Sequence, residues 1–318
     1  MLTLSFQTAA GAVLQVFLMG LVGYVLTKRG VLDQNGLKLL SRLNIQVFFP
    51  LFVFYQFISH FDFKAIPFWW VFPLISFGIT LTGLGVASLL LAFRKSPVKN
   101  EFKAVIALHN AGHIPLLLAA TLPLGSQSPV LYIYIILSLI GFDLSLWSLG
   151  VWLLTRKAGS GVDFRNLVNP PLTAMAFGLV LVFLGWNTAI PELITKPVHI
   201  LGDCALPLIM VTIGGNLAMT RLNRDNAFDL TRVCAAKLII MPALALLAVS
   251  VLRPDPLIGL LIIIQSAVPS AMTLSIIGRH YDIKNQDFVN QAIFFTHLAC
   301  IITLPVALAL YGGLLYGH

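Results

Sequence analysis

"ALHNAGHIPLLLAATLPLG", residues 107–125, decides how this chain is read. Two histidines, an asparagine, a glycine and a proline fall between His109 and Pro115, inside sequence that is otherwise apolar. Each is costly in an apolar helix. Proline removes a backbone donor and collides with the preceding turn. In lipid the groups it frees must be satisfied by protein or by a water-filled cavity. A chain that keeps such a cluster inside a membrane span has a use for a broken helix there.

Composition places the cluster inside a span. Of 318 residues, 58% are hydrophobic and 10% charged, and the mean hydropathy is +0.92. Soluble domains are usually about 25% charged, and no soluble core of this size hides so much apolar side chain. The chain reads as an all-α polytopic membrane protein. Its first charge is Lys28, so Phe6 to Leu26 reads as a retained span rather than a cleaved signal. At about 20 apolar residues per crossing, ten spans fit, at roughly 6–27, 37–58, 67–93, 102–124, 130–155, 169–187, 197–219, 229–252, 256–277 and 287–314. Cys204, Cys234 and Cys300 stand far apart in apolar sequence, so neither a disulfide nor a metal site is expected. No cofactor motif is found.

Seventeen of the 20 Lys and Arg fall in the odd-numbered loops and their flanking span ends, Lys237 among them. Only Lys64, Lys196 and Arg253 fall in the even ones. The positive-inside rule then puts the odd loops in the cytoplasm and both termini outside the cell (inner or plasma) membrane. The pI near 9.6 is a topology signal, and nucleic acid is not an expected partner. The longest polar stretch is "RKAGSGVDFRN", residues 156–166.

The chain also repeats itself. "VFFPLFVFYQF" around Pro50 and "CALPLIMVTIG" around Pro207 sit in the second span of each half, and the cluster around Pro115 matches "IQSAVPSAMTLSI" around Pro269 in the fourth. The offsets are 157 and 154 residues, and Asp143 and His297 each lie 28 residues past their proline. Two five-span halves, 1–157 and 158–318, follow, and an odd span count makes them inverted repeats. Secondary transporters are built this way, with the site at the repeat interface. Spans four and nine are expected to break beside Pro115 and Pro269 and to cross, presenting helix N-termini that favour an anion.

At these residues the sequence resembles the auxin efflux carrier family, which includes the plant PIN-FORMED auxin transporters and bacterial carboxylate carriers. "GYVLTKRGVLD", "NIQVFFPLFVF", "NPPLTAMAFGL" and "LGDCALPLIMVTIGGNLA" resemble its first loop and its second, sixth and seventh spans. "IPLL" and "QSAVPS" resemble its two crossover segments, and "ITLPVALAL" its last span. The resemblance implies a scaffold of spans 1, 2, 6 and 7, a transport domain of spans 3–5 and 8–10, a homodimer through the scaffold, and an elevator-like motion.

Substrate contact is expected from Asn110, His113, Pro115, Gln265, Ser266, Pro269 and His297, with His109 as a packing residue. Asp143 is the one carboxyl deep in a span. An ionised Asp there costs about 2.5–3.5 kcal/mol, so it reads as a proton carrier or a structural partner. Asp203 with Asp143 would make an aspartyl protease only if the two shared a site, and the span assignment separates them. Gly214 and Gly215 read as close-packing residues. The sequence thus points to a secondary carrier of small organic anions, carboxylates being what the resemblance implies, with protons as an optional partner and lipid around it. A sodium-coupled carrier resembling bile-acid symporters and a transporter-fold sensor stay open.

Overall fold

The computed structural model describes residues 5–94, 96–155, 169–222 and 226–316. The polar stretch 156–166, with its Arg156, Lys157 and Arg165, and the half boundary at 157/158 lie outside the described residues. So do Lys95 and Arg224 of the charge count.

Sixteen α-helices follow one another among the described residues: α1 (Phe6–Lys28), α2 (Gln34–Leu43), α3 (Phe49–His60), α4 (Val71–Phe93), α5 (Lys99–Ala107), α6 (His113–Thr121), α7 (Ser128–Ser145), α8 (Val151–Thr155), α9 (Pro170–Phe183), α10 (Glu192–Asp203), α11 (Ala205–Ala218), α12 (Ala227–Ala235), α13 (Met241–Leu252), α14 (Pro256–Ala267), α15 (Thr273–His280) and α16 (Gln286–Tyr316). The sole β contact among these residues is one antiparallel bridge between His109 and Ser270.

Local chemistry sets the ends. Ser5 Oγ and Asp33 Oδ1 accept the Thr8 and Gly36 amides at the starts of α1 and α2. Asn169 and Asp255 cap α9 and α14, each followed by a proline in the first turn, where a missing N–H costs little. Gly30 turns the chain from α1 towards α2 at φ +75, a conformation that suits glycine.

Seven helical stretches are long and apolar enough to cross a membrane: 6–28, 34–60, 71–93, 125–155, 192–218, 227–252 and 286–314. Three of them contain a five-residue π-helical turn, Asn44–Phe48, Leu146–Gly150 and Ala236–Ile240. Two of those turns stand just before Pro50 and Pro242, whose absent N–H a wide turn accommodates. The sequence spans 102–124 and 256–277 are each divided in two, and span 169–187 is the 14-residue α9. Large apolar side chains such as Leu14, Leu18, Phe93, Phe183 and Leu247 stand exposed on the outer faces. Lipid is the solvent that suits such a surface.

Small residues draw the central helices together. α1 packs along α11. A Cβ added at Gly23 would collide with the Val211 carbonyl, and one at Gly214 with the Gly20 carbonyl. Gly214 is thus a close-packing residue, and so is Gly215, hard against Leu37 and Thr27. α3 lies against α9 and α10, and α4 against α5 and α7.

Candidate functional site

The opening stretch does break. α5 ends at Ala107 and α6 begins at His113, and the second break runs between Ala267 of α14 and Thr273 of α15. Each break is five residues long. The two pair with each other: the Asn110 amide donates to the Pro269 carbonyl at 2.8 Å, and the Ala271 amide to the Leu108 carbonyl at 3.0 Å. The two prolines are not equivalent, however. Pro269 lies inside its break, whereas Pro115 is the third residue of α6, in a first turn where its lost donor has no helical acceptor to serve.

Two carbonyls in the last turn of α5 find partners from elsewhere in the chain. Ser270 Oγ donates to the Val105 carbonyl at 2.6 Å, and Lys237 Nζ to the Ile106 carbonyl at 3.2 Å. At the start of α6, Asn110 Oδ1 accepts the His113 amide at 3.2 Å. Gln265 Nε2 reaches across and donates to the Ala111 carbonyl at 2.9 Å. The Ser270 amide donates to Thr296 Oγ1 at 3.3 Å, tying the second break to α16. Buried backbone groups require such partners, and here side chains of the breaks, Asn110 and Ser270, and of neighbouring helical segments, Lys237, Gln265 and Thr296, supply them.

His297, on α16, is fully buried. Its Nδ1 lies 2.8 Å from the Ile293 carbonyl, which can only accept, so the proton sits on Nδ1. Nε2 then accepts from Asn110 Nδ2 at 3.5 Å. Asn110 is therefore held on both sides, by the His113 amide and by His297.

A cavity of about 210 Å³ opens beside the breaks. One wall holds His109, Asn110, Gly112, His113, Met272 and Thr273, so the amide ends of α6 and α15 both face it. The opposite wall is apolar, with Phe49 and Val53 of α3 and Leu172 and Met175 of α9. Asp143, on α7, stands at its edge and accepts from Asn169 Nδ2 at 3.1 Å. Met272 also borders a second cavity of about 260 Å³, whose lining includes Asn216, Arg221, Ser275, Arg279 and Asn290.

The sequence-derived residues thus divide. Asn110, His113 and Asp143 line the first cavity. Gln265, Ser266 and His297 are buried behind it, Pro269 lies in the second break, and Pro115 is buried in α6. Asp143 and His297, each 28 residues past its proline, hydrogen-bond to Asn169 and Asn110 respectively. His109, read as a packing residue, is fully buried and edge-on to Phe142 at 5.4 Å, yet its position also borders the cavity. Asp203 pairs with His199 at 3.3 Å on an exposed surface, and it is not part of the cavity lining that holds Asp143.

Two residues escaped the sequence. Asn169 looks like an ordinary helix cap, and it is one, accepting the Leu172 amide at 2.9 Å. Its NH₂ group is left to hold Asp143. Lys237, which the charge count groups with the odd loops and their flanking span ends, lies in the π turn before Pro242 and is fully buried. A charge at that depth costs several kcal/mol and marks functional sites in membrane proteins.

The class this defines is a polytopic helical membrane protein with two broken helices paired beside a cavity. Comparison with known proteins gives the family. The family model described as "Membrane transport protein" matches residues 8–160 and 153–308. The chain belongs to this family, that of the auxin efflux carriers. An uncharacterized transporter of Methanothermobacter thermautotrophicus is 28% identical over 306 residues, covering 95% of this chain and 98% of the relative. One from Methanocaldococcus jannaschii is 25% identical over 312 residues, covering 95% and 97%. Auxin efflux carrier component 1 of Arabidopsis thaliana is 28% identical over 156 residues, which is 46% of this chain and 24% of that one.

Proposed function

We propose that this protein is a secondary transporter that moves small organic anions, carboxylates foremost, across the membrane by an elevator-like motion. The observation that carries the reading is the meeting of two helix N-termini, α6 and α15, at one cavity. Helix N-termini offer unpaired amides and a positive half-dipole, which favour a carboxylate. The apolar wall from α3 and α9 suits the carbon skeleton of an organic acid.

On this reading the chain has ten spans in two inverted halves, 1–157 and 158–318, with spans four and nine crossing. Support comes from the equal length of the two breaks and from their mutual hydrogen bonds. Spans 1, 2, 6 and 7 form a scaffold that dimerises with a second copy, and spans 3–5 and 8–10 move against it. The bond between Asp143 of α7 and Asn169 of α9 then joins moving and fixed parts. Asn110, His113, Gln265 and Ser266 hold or frame the anion, and Asp143 is the group available for proton coupling. Both termini face outside the cell.

Purified protein in proteoliposomes, loaded with radiolabelled indole-3-acetate, benzoate or succinate, tests this. Release of at least one acid above protein-free vesicles is expected, with sodium and with choline alike. Binding without release would identify a sensor instead. Release only with sodium would identify a sodium-coupled carrier.

A further inference from the structure

Lys237 has no part in the site as drawn so far, and its surroundings are unusual. It is fully buried within the helical stretch 227–252. Among the described residues no carboxylate oxygen lies within 4 Å of its nitrogen, and its hydrogen-bond partner is the neutral Ile106 carbonyl. That carbonyl belongs to the last turn of α5, which stops one residue later. At the end of α14, the carbonyl of its last residue, Ala267, lies 3.8 Å from Cys300 Sγ. Lys237 therefore sits at the carbonyl end of one broken helix, α5, while the amide ends of both, at α6 and α15, meet at the cavity. His109, three residues beyond Ile106, borders that cavity.

We propose that Lys237 is the charge that makes this cavity selective for anions. Four half-dipoles meet at the paired breaks, and left alone the two carbonyl ends offset the attraction of the two amide ends. A cation seated at the α5 carbonyl end reduces that offset, and its own field reaches the cavity through low-dielectric protein. It is a field-setting residue, since it is not among the residues that line the cavity. The same nitrogen closes the hydrogen-bond account of α5, so a purely structural cap is the rival explanation.

The inference rests on the reading of the cavity as an anion site, and the experiment separates the two. Binding of indole-3-acetate and benzoate is measured against their neutral amides, indole-3-acetamide and benzamide, for the full chain in detergent. A unit charge acting on another over about 10–12 Å at an effective dielectric near 20 changes affinity about tenfold. Lys237→Gln retains a donor for the Ile106 carbonyl but carries no charge. It is expected to bind the acids about tenfold more weakly and the amides as wild type does. Lys237→Arg is expected to hold the acids within threefold. Lys237→Met serves where the glutamine variant does not fold. Acid affinity unchanged in Lys237→Gln or Lys237→Met overturns the inference and leaves the anion site standing. Equal loss of acid and amide binding also overturns it, in favour of the structural cap. If the wild type binds none of the acids, the anion-site reading falls and takes this inference with it.

Discussion

Asn110 is the residue on which the paired breaks turn. Its backbone amide bonds to the other break, its Oδ1 accepts the first amide of the helix that follows, and its Nδ2 meets His297. Asn110→Ala removes both side-chain contacts together. Each such hydrogen bond contributes about 1 kcal/mol, so a lowering of the thermal unfolding midpoint by several degrees is expected, with anion affinity reduced at least tenfold. A calorimetric scan and a binding titration check both. Asp143 makes the second residue-level test. A fixed negative charge beside a bound anion is unfavourable, so Asp143 is expected to be protonated when substrate is seated. Asp143→Asn mimics that state. It should bind substrate as wild type does while flattening the pH profile of transport. An unchanged profile would reduce Asp143 to a structural partner of Asn169.

At the scale of helices, the two prolines that drew attention in the sequence should behave differently. Pro115 occupies the first turn of α6, where no helical donor is missed. Pro115→Ala is expected to change stability by less than about 1 kcal/mol, as followed by thermal unfolding. Glycine contacts matter more. Gly214→Ala would drive a methyl into the backbone of α1, whereas Gly78 has open space around it. Overpacking typically costs about 1–3 kcal/mol, so Gly214→Ala should lower the unfolding midpoint and Gly78→Ala should leave it nearly unchanged. The break itself was legible because His109, Asn110, Gly112 and Pro115 are all poor residues for an apolar helix and sit together. The partners of the break were not, since the acceptors and donors that complete it come from residues more than 100 positions away, such as Gln265 and Ser270. The burial of Lys237 was hidden for a related reason. A count of charges along the chain groups a lysine with the nearest loop and does not show which way its side chain turns. Asn169 hid behind its own helix cap, because one function of an asparagine is visible from its neighbours and the other is not.

For the whole molecule, orientation sets what transport can achieve. In the proposed orientation, with both termini outside, the second cavity and its Arg221 and Arg279 would lie towards the cytoplasm, where an anion would enter for export. An anion leaving a cell that is negative inside gains about 2.3 kcal/mol per charge per 100 mV, which is enough to drive efflux without a coupling ion. Labelling of single cysteines tests the orientation. Cys204 is exposed, so the background carries Cys204→Ser. Ser96 is a poor probe site, being buried and bonded to Asp229. Lys99→Cys and Ser126→Cys, both at exposed positions, should label from opposite sides, the first from the cytoplasm. Labelling of both from one side would refute the ten-span arrangement.

The central claim is that an organic anion is held where the amide ends of α6 and α15 meet. An experimental structure of the protein with a bound acid, taken from those that cross the proteoliposome membrane, tests it most directly. The account predicts carboxylate density beside Asn110, Gly112 and Thr273, with the carbon skeleton against Phe49 and Met175. Density confined to the cavity lined by Arg221 and Arg279, with the paired breaks empty of ligand, would contradict it.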